Sequence, residues 1–293
     1  MALNIPVFRT RALTALIFAA VMLTGLLWNF WSFFILFSII HFGCWLEYQK
    51  LVGKIDKGYA QITFVHKYGV IIAGWCLMFY LTGSSYKIFN FSLHTIGYWG
   101  VLFILIAIPV LEIIFWRKVS FKNLAHSIFG FVYISLSWAL LTNLRSRFDS
   151  QLLGDFVGKM FVVLVIASIW INDTMAYIVG SFIGKTPLTK ISPKKTWEGT
   201  IGGIILSIIV VGIFGYFINA NSDWESVLEL MGIAAIASIT GTFGDLLESK
   251  LKRMADVKDS GHIMPGHGGF LDRFDSLLLA TPFVWLYIIL FLN

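Results

Sequence analysis

Nearly unbroken apolar stretches recur along the whole chain, at roughly residues 12–28, 31–46, 68–83, 98–116, 124–143, 160–183, 200–218, 230–247 and 277–292. Each run is continuous. A half-buried or barrel strand would alternate instead, so extended structure is disfavoured and bilayer-crossing helices are expected. Composition agrees. Of 293 residues, 58% are hydrophobic and 13% are charged, with a mean hydropathy of +0.81. A soluble domain carries about 25% charged residues. The expected fold class is an all-α polytopic integral membrane protein with about nine transmembrane helices. A tight turn at Trp28-Asn29-Phe30-Trp31 joins the first two spans. Spans this short must sit in thinned bilayer.

Basic residues orient the spans. With a cytoplasmic N-terminus, 18 of the 22 Lys and Arg fall on the inside. That bias predicts N-terminus in and C-terminus outside. The segment 144–159, with Arg145, Arg147 and Lys159, is the outlier. The net charge of +6 is better matched to loops and anionic headgroups than to nucleic acid. Cys44 and Cys76 both lie in apolar runs, so neither a disulfide framework nor a CxxC metal site is available. The first run follows Arg9 and Arg11 without a small-x-small cleavage site, so a retained span is expected rather than a signal peptide.

The chain divides by character. Residues 1–159 are spans with plain basic connectors, read as a scaffold and oligomer part. Residues 160–293 are read as a catalytic transmembrane region with cytoplasmic loops 184–199 and 248–276.

Three polar constellations fall in the second part. "WINDTMAY", residues 170–177, puts Asn172 and Asp173 near mid-span. A charge at that depth costs about 2.5–3.5 kcal/mol on insertion scales, so a partner or a wet cavity is expected. "GKTPLTKISPKKTWEGTIGG", residues 184–203, contains Ser192-Pro193, a helix-start pattern, followed by Lys194, Lys195 and Thr196. Lysines at a helix N-terminus suit phosphate. Glu198 is spaced to pair with Lys194 or Lys195. Gly199, Gly202 and Gly203 suit a close helix approach. The third constellation is "TGTFGDLLESKLKRMADVKDSGHIMPGHGGFLDRFDS", residues 240–276. Asp245 and Glu248 share one helix face, and Asp272 and Asp275 open the last span at the same spacing. Carboxylates favour hard divalent cations, while Ser249, Lys252, Arg253 and Arg273 lie among them. A metal site and an ion-pair network closing the bundle are both open at this level. His267 is either a plain loop residue or a phosphate contact.

The third constellation resembles the signature of phosphatidate cytidylyltransferases, also called CDP-diacylglycerol synthases. Ser249, Lys252, Arg253, Lys258, Asp259, Ser260, Pro265, His267, Gly268, Gly269, Asp272, Arg273 and Asp275 fit that pattern. "GDLLES", "SPKKTWEG" and "NDTMAY" resemble further family motifs. The resemblance is specific over about 170–276. Met175 departs from the family's usual Gly, Ser181 from a common basic residue, and Thr186-Pro187 from His-Lys.

The resemblance implies transfer of CMP from CTP to phosphatidate, giving CDP-diacylglycerol and pyrophosphate, with Mg²⁺ required and a second cation left open. Asp245 and Asp272 are expected to hold the cation, with Glu248 and Asp275 supporting it. Lys195, Lys194 and Thr196 would hold phosphates, with Lys252, Arg253 and Arg273 as further cations. Asp173 would line the cavity. Asn172, Ser192, Glu198, Ser249, Lys258, Asp259 and His267 complete the expected substrate contacts. The expected partners are CTP, phosphatidate and membrane lipids, with a homodimer as the assembly and no nucleic acid. The expected location is the bacterial cytoplasmic membrane, with the site facing the cytoplasm. A CTP-using polyprenol kinase would want similar charges. A secondary transporter would explain Asn172 and Asp173, but no internal repeat supports it. A catalytically dead member is suggested by Met175 and Ser181 and opposed by the full acid set.

Overall fold

The computed structural model describes residues 5–116, 120–148, 154–218, 224–261 and 268–292. Helices dominate: α1 (Ile5–Leu27), α2 (Phe30–Ile55), α3 (Lys57–Ala60), α4 (Phe64–Tyr80), α5 (Leu93–Trp116), α6 (Phe121–Gly130), α7 (Ser137–Ser146), α8 (Gly154–Ile183), α9 (Trp197–Ile218), α10 (Trp224–Met254) and α11 (Leu271–Phe291). A two-residue hairpin pairs β1 (Lys87–Ile88) with β2 (Phe91–Ser92), antiparallel. Among the described residues, seven helical stretches are long and apolar enough to cross a membrane, and Leu16–Leu27 and Phe64–Tyr80 are shorter apolar helices. The chain is an all-α polytopic membrane protein.

Contacts divide it into two compact units, Met1–Lys159 with Met254–Arg273, and Met160–Arg253 with Phe274–Asn293. The break after Lys159 falls where the sequence changes character. Residues 254–273, placed by sequence with the catalytic region, join the first unit.

In the first unit, Asn29 starts α2. Its Oδ1 accepts from Ser32 N at 2.9 Å while Asn29 N donates to Ser32 Oγ at 3.1 Å, a reciprocal capping box that turns the chain sharply. Trp45, Trp138, Phe33 and Phe37 are fully buried, and Phe30 stacks on Tyr86 at 3.6 Å. Lipid is as apolar as these rings, so helix association rests on packing and on hydrogen bonds between helices. A π-helical stretch, Phe131–Leu136, joins α6 to α7 and carries Ser135, whose Oγ accepts from Trp45 Nε1 at 2.8 Å. Arg145, 1% exposed, donates to Asp155 Oδ1 at 2.6 Å, and Lys159 reaches Asp155 Oδ2 at 2.7 Å. Two of the three outlying cations of 144–159 therefore share one carboxylate. Cys44 and Cys76 are buried and form no disulfide among the described residues.

In the second unit, α8 and α9 meet through small residues. A Cβ at Gly199 would lie 2.6 Å from Ala176 O, and one at Gly203 would lie 2.7 Å from Asn172 O. The expected close approach is present. It brings the α8 polar pair beside the loop that precedes α9.

Candidate active site

α9 begins at Trp197 and not at Ser192-Pro193. Ser192 and Pro193 form a turn instead, closed by Lys195 N donating to Ser192 O at 3.1 Å. Leu188 N to Lys195 O and Trp197 N to Thr186 O then pin the loop back on itself at 2.8 and 2.9 Å. The helix cap is Thr196, whose Oγ1 accepts from Gly199 N at 3.1 Å. Pro193 fits the turn's second position as well as it fits a helix start, and the pinned loop decides between them. Glu198 also departs from expectation. It pairs with neither Lys194 nor Lys195. Its carboxylate accepts from the backbone N–H groups of Lys185 and Thr186, each at 3.2 Å. Lys195 is thereby released to reach Asp245, with which it forms an ion pair.

These local choices open a cavity of about 430 Å³ within the second unit. Asn172 and Asp173 of α8, Lys194, Lys195 and Thr196 of the loop, and Thr242 and Asp245 of α10 all line it. Residues from three sequence stretches thus meet at one place. Asn172 is buried, and its Nδ2 lies 3.5 Å from both Asp173 Oδ1 and Thr242 Oγ1. Its Oδ1 is buried with no hydrogen-bond partner among the described residues. A buried amide oxygen left unpaired is costly. Tyr177 and Thr200 also line the cavity and were not singled out by sequence; each belongs to a motif, one turn from a residue that was. Ser181, a departure from the family pattern, lines the cavity, while Met175 is not among its lining residues.

Beside the cavity lie three carboxylates. Asp245, Glu248 and Asp275 each place one ligand oxygen within 4.8 Å of the others, and Glu248 and Asp275 are buried. Ser249 Oγ donates to Asp245 Oδ1 at 3.3 Å, and Lys252 pairs with Glu248. Ser276 N donates to Asp275 Oδ1 at 2.6 Å. Carboxylates crowded this closely repel unless cations lie among them. The donor set is all oxygen, which fits a hard divalent cation.

Asp272 belongs to the first unit. There its Oδ2 accepts from Ser260 N at 2.9 Å and from Gly269 N at 2.8 Å. Gly268 has φ +81°, a backbone region that disfavours other residues, and a Cβ there would meet Asp272 Oδ2 at 2.6 Å. Arg253, Lys258, Asp259 and Arg273 are exposed, and Ser192 is half-buried in its turn. His267 and Pro265 lie outside the described residues.

In this helical membrane protein a loop lysine pairs with one of three clustered carboxylates, an arrangement chemically able to receive phosphate groups. The comparisons narrow that chemistry. A family model, Cytidylyltransferase family, matches residues 9–291, so the chain belongs to this family. It is similar to the phosphatidate cytidylyltransferase of Staphylococcus aureus strain COL, 38% identical over 57% of this chain and 59% of that protein. It is similar to the Bacillus subtilis strain 168 phosphatidate cytidylyltransferase, 35% identical over 73% of this chain and 76% of that one. The Synechocystis enzyme of the same name is 43% identical over 46% of this chain and 45% of its own length. The chain thus spans 59% of the length of the Staphylococcus relative it matches.

Proposed function

We propose that the chain transfers CMP from CTP to phosphatidate, forming CDP-diacylglycerol and pyrophosphate in the bacterial cytoplasmic membrane. The observation that carries this reading is the cavity of the second unit, where Lys194, Lys195 and Thr196 stand with Asp173 and Asp245. Family membership and the relatives' shared name support it.

One phosphate oxygen of phosphatidate attacks the α-phosphorus of CTP. The bond from that phosphorus to the α–β bridging oxygen breaks, and its electron pair leaves with pyrophosphate. The phosphatidate phosphate is already anionic, so orientation matters more than a strong base. Lys195 and Lys194 supply cations and Thr196 a hydroxyl to hold phosphates. Lys195 is held against Asp245, so an arriving phosphate can exchange into that pair. Lys252, Arg253 and Arg273 are further cations for phosphate oxygens. Asp173 and Asn172 set the cavity wall, with the unpaired Asn172 Oδ1 offering an acceptor. Asp245 and Asp272 are the proposed holders of Mg²⁺, with Glu248 and Asp275 in support. Mg²⁺ when bound offsets charge on the α-phosphate and the departing pyrophosphate.

The reading includes nine spans, N-terminus in, and a site open to the cytoplasm, supported by the Lys and Arg bias and by the water-soluble substrate. It also includes the homodimer that the resemblance implies. The test is purified protein with cytidine-labelled CTP, phosphatidate and Mg²⁺. Lipid-soluble label with equimolar pyrophosphate is expected. CDP release without lipid-soluble cytidine would make the chain a kinase and sink the proposal.

A further inference from the structure

Glu47 plays no part in the scheme above. It lies on α2 among Trp45, Leu46 and Tyr48 and is 7% exposed. A buried carboxylate is expensive unless it is hydrogen-bonded. Glu47 Oε1 accepts from Phe270 N at 3.0 Å, and its Oε2 accepts from Leu271 N at 2.8 Å and Ser260 Oγ at 2.7 Å. All three donors lie in the run that resembles the family signature. Leu271 opens α11, so the carboxylate satisfies N–H groups that a helix start leaves orphaned, where negative charge is favoured.

The surroundings are shaped to this contact. A Cβ at Gly261 or Gly269 would collide with the Glu47 carboxylate, and one at Gly43 would collide with the Phe270 ring. Ser260 Oγ lies 2.9 Å from Asp272 Oδ2 as well as beside Glu47. Ser260 and Gly269 both donate backbone N–H groups to Asp272. The residues that orient Asp272 are therefore the same residues, or the immediate neighbours of those, that Glu47 holds.

We propose that Glu47 is a positioning residue for the transfer: by holding Ser260 and the Gly269–Leu271 turn, it presents the Asp272 carboxylate in one orientation. The inference rests on the role proposed above for Asp272. It ties part of the N-terminal scaffold to the chemistry.

The test compares the full-length wild type with Glu47→Gln, which matches Glu in shape but sets an NH₂ donor against an N–H donor. Two readings are taken. Hydrogen exchange of EDTA-treated protein should be at least about tenfold faster at the Phe270 and Leu271 amides, with peptides from α9 unchanged. The Mg²⁺ concentration for half-maximal turnover should rise about tenfold, the lower end of what loss of a carboxylate's orienting partner costs. A merely structural role would lower apparent kcat in proportion to folded protein and leave that Mg²⁺ concentration where it was. Wild-type exchange, or an unmoved Mg²⁺ requirement, overturns the inference. Should the Gln variant not fold, Ser260→Ala is scored by the same two readings. A wild type without CTP turnover sinks the functional reading itself; an active wild type with an unaffected variant sinks this inference alone.

Discussion

In the first unit, His66 sits between Glu112 and Ser127 at 2.7 Å on each side, and Ser127 also meets Tyr59 at 3.2 Å. Arg145 and Lys159 share Asp155. In these two groups each acid meets its nitrogen donors directly. The second unit differs in one cluster, although Lys195 pairs with Asp245 and Lys252 with Glu248. Asp245, Glu248 and Asp275 crowd three like charges together, and Asn172 keeps an unpaired buried oxygen beside a cavity. A membrane interior penalises polar groups in both places. Closed pairs minimise that penalty and lower the cost of burying the helices. Crowded acids, of which Asp245 lines the cavity, keep it, and such an arrangement is useful where a cationic ligand completes the charge balance.

The largest test of that contrast removes an acid from the crowded cluster. Asp245→Asn should lower turnover by about a hundredfold or more and raise the Mg²⁺ requirement, because it removes a charge aimed at the reacting groups. Asp272→Asn should do the same. Near-normal CTP- and Mg²⁺-dependent turnover in either folded variant would end the metal assignment. Next in size is Lys195→Met. It leaves Asp245 without the Lys195 ion pair and removes the phosphate contact proposed for that lysine. KM for CTP should rise about tenfold while the protein still folds, since a single charge-assisted contact is lost. An unchanged KM would place CTP elsewhere.

Some of this was open to reading in the sequence and some was not. Continuous apolar runs show the helices, since in lipid only helices and closed barrels satisfy their backbones, and barrel strands would alternate. Spacing placed Asp245 and Glu248 on one face, and motif content selected Asn172, Asp173, Lys194, Lys195 and Thr196, all of which line one cavity. The start of α9 was misread because Ser192-Pro193 suits a turn and a helix equally. Glu198 went to backbone donors 12 and 13 residues away, which i to i+4 reasoning cannot see. Glu47 is not among the residues that the sequence patterns pick out. Its partners lie 213 to 224 residues on, so no local pattern exposes them. Its one visible signal is a lone acid at the end of an apolar run.

The closed pairs of the first unit predict stability effects without catalytic ones. Asp155→Asn should cost about 2 kcal/mol of thermal stability in detergent, because it strands the fully buried Arg145 guanidinium. The figure sits below that for a wholly buried pair, since the Asp155 side chain is 51% exposed and water screens it. Turnover per folded molecule should stay at the wild-type value. A drop in turnover with no change in melting would mean that this pair is not a closed structural group.

The smallest expected effect isolates one charge outside the spans. Asp56 caps α3, its Oδ1 accepting from Gly58 N at 2.9 Å, while Lys122 approaches its Oδ2 at 2.9 Å. The Lys122 ammonium and then the Gly58 N–H hold its pKa down to about 2, from an ordinary 3.8. The folded state therefore releases this proton more readily than the unfolded chain. The stabilisation is complete above pH 3.8 and is lost as pH falls from 3.8 toward 2. Asp56→Asn keeps a cap acceptor but removes the charge. The melting difference between wild type and variant should be small near pH 7, because Lys122 is largely exposed and such pairs contribute little; His126, 3.3 Å from the same carboxylate oxygen, adds to it as the pH falls. The difference should then vanish as the pH is lowered toward 2. A difference that persists at low pH would assign the effect to the cap and not to the charge. A large difference at neutral pH would show that this pair, with its exposed lysine, behaves like the buried Arg145 pair of the first unit.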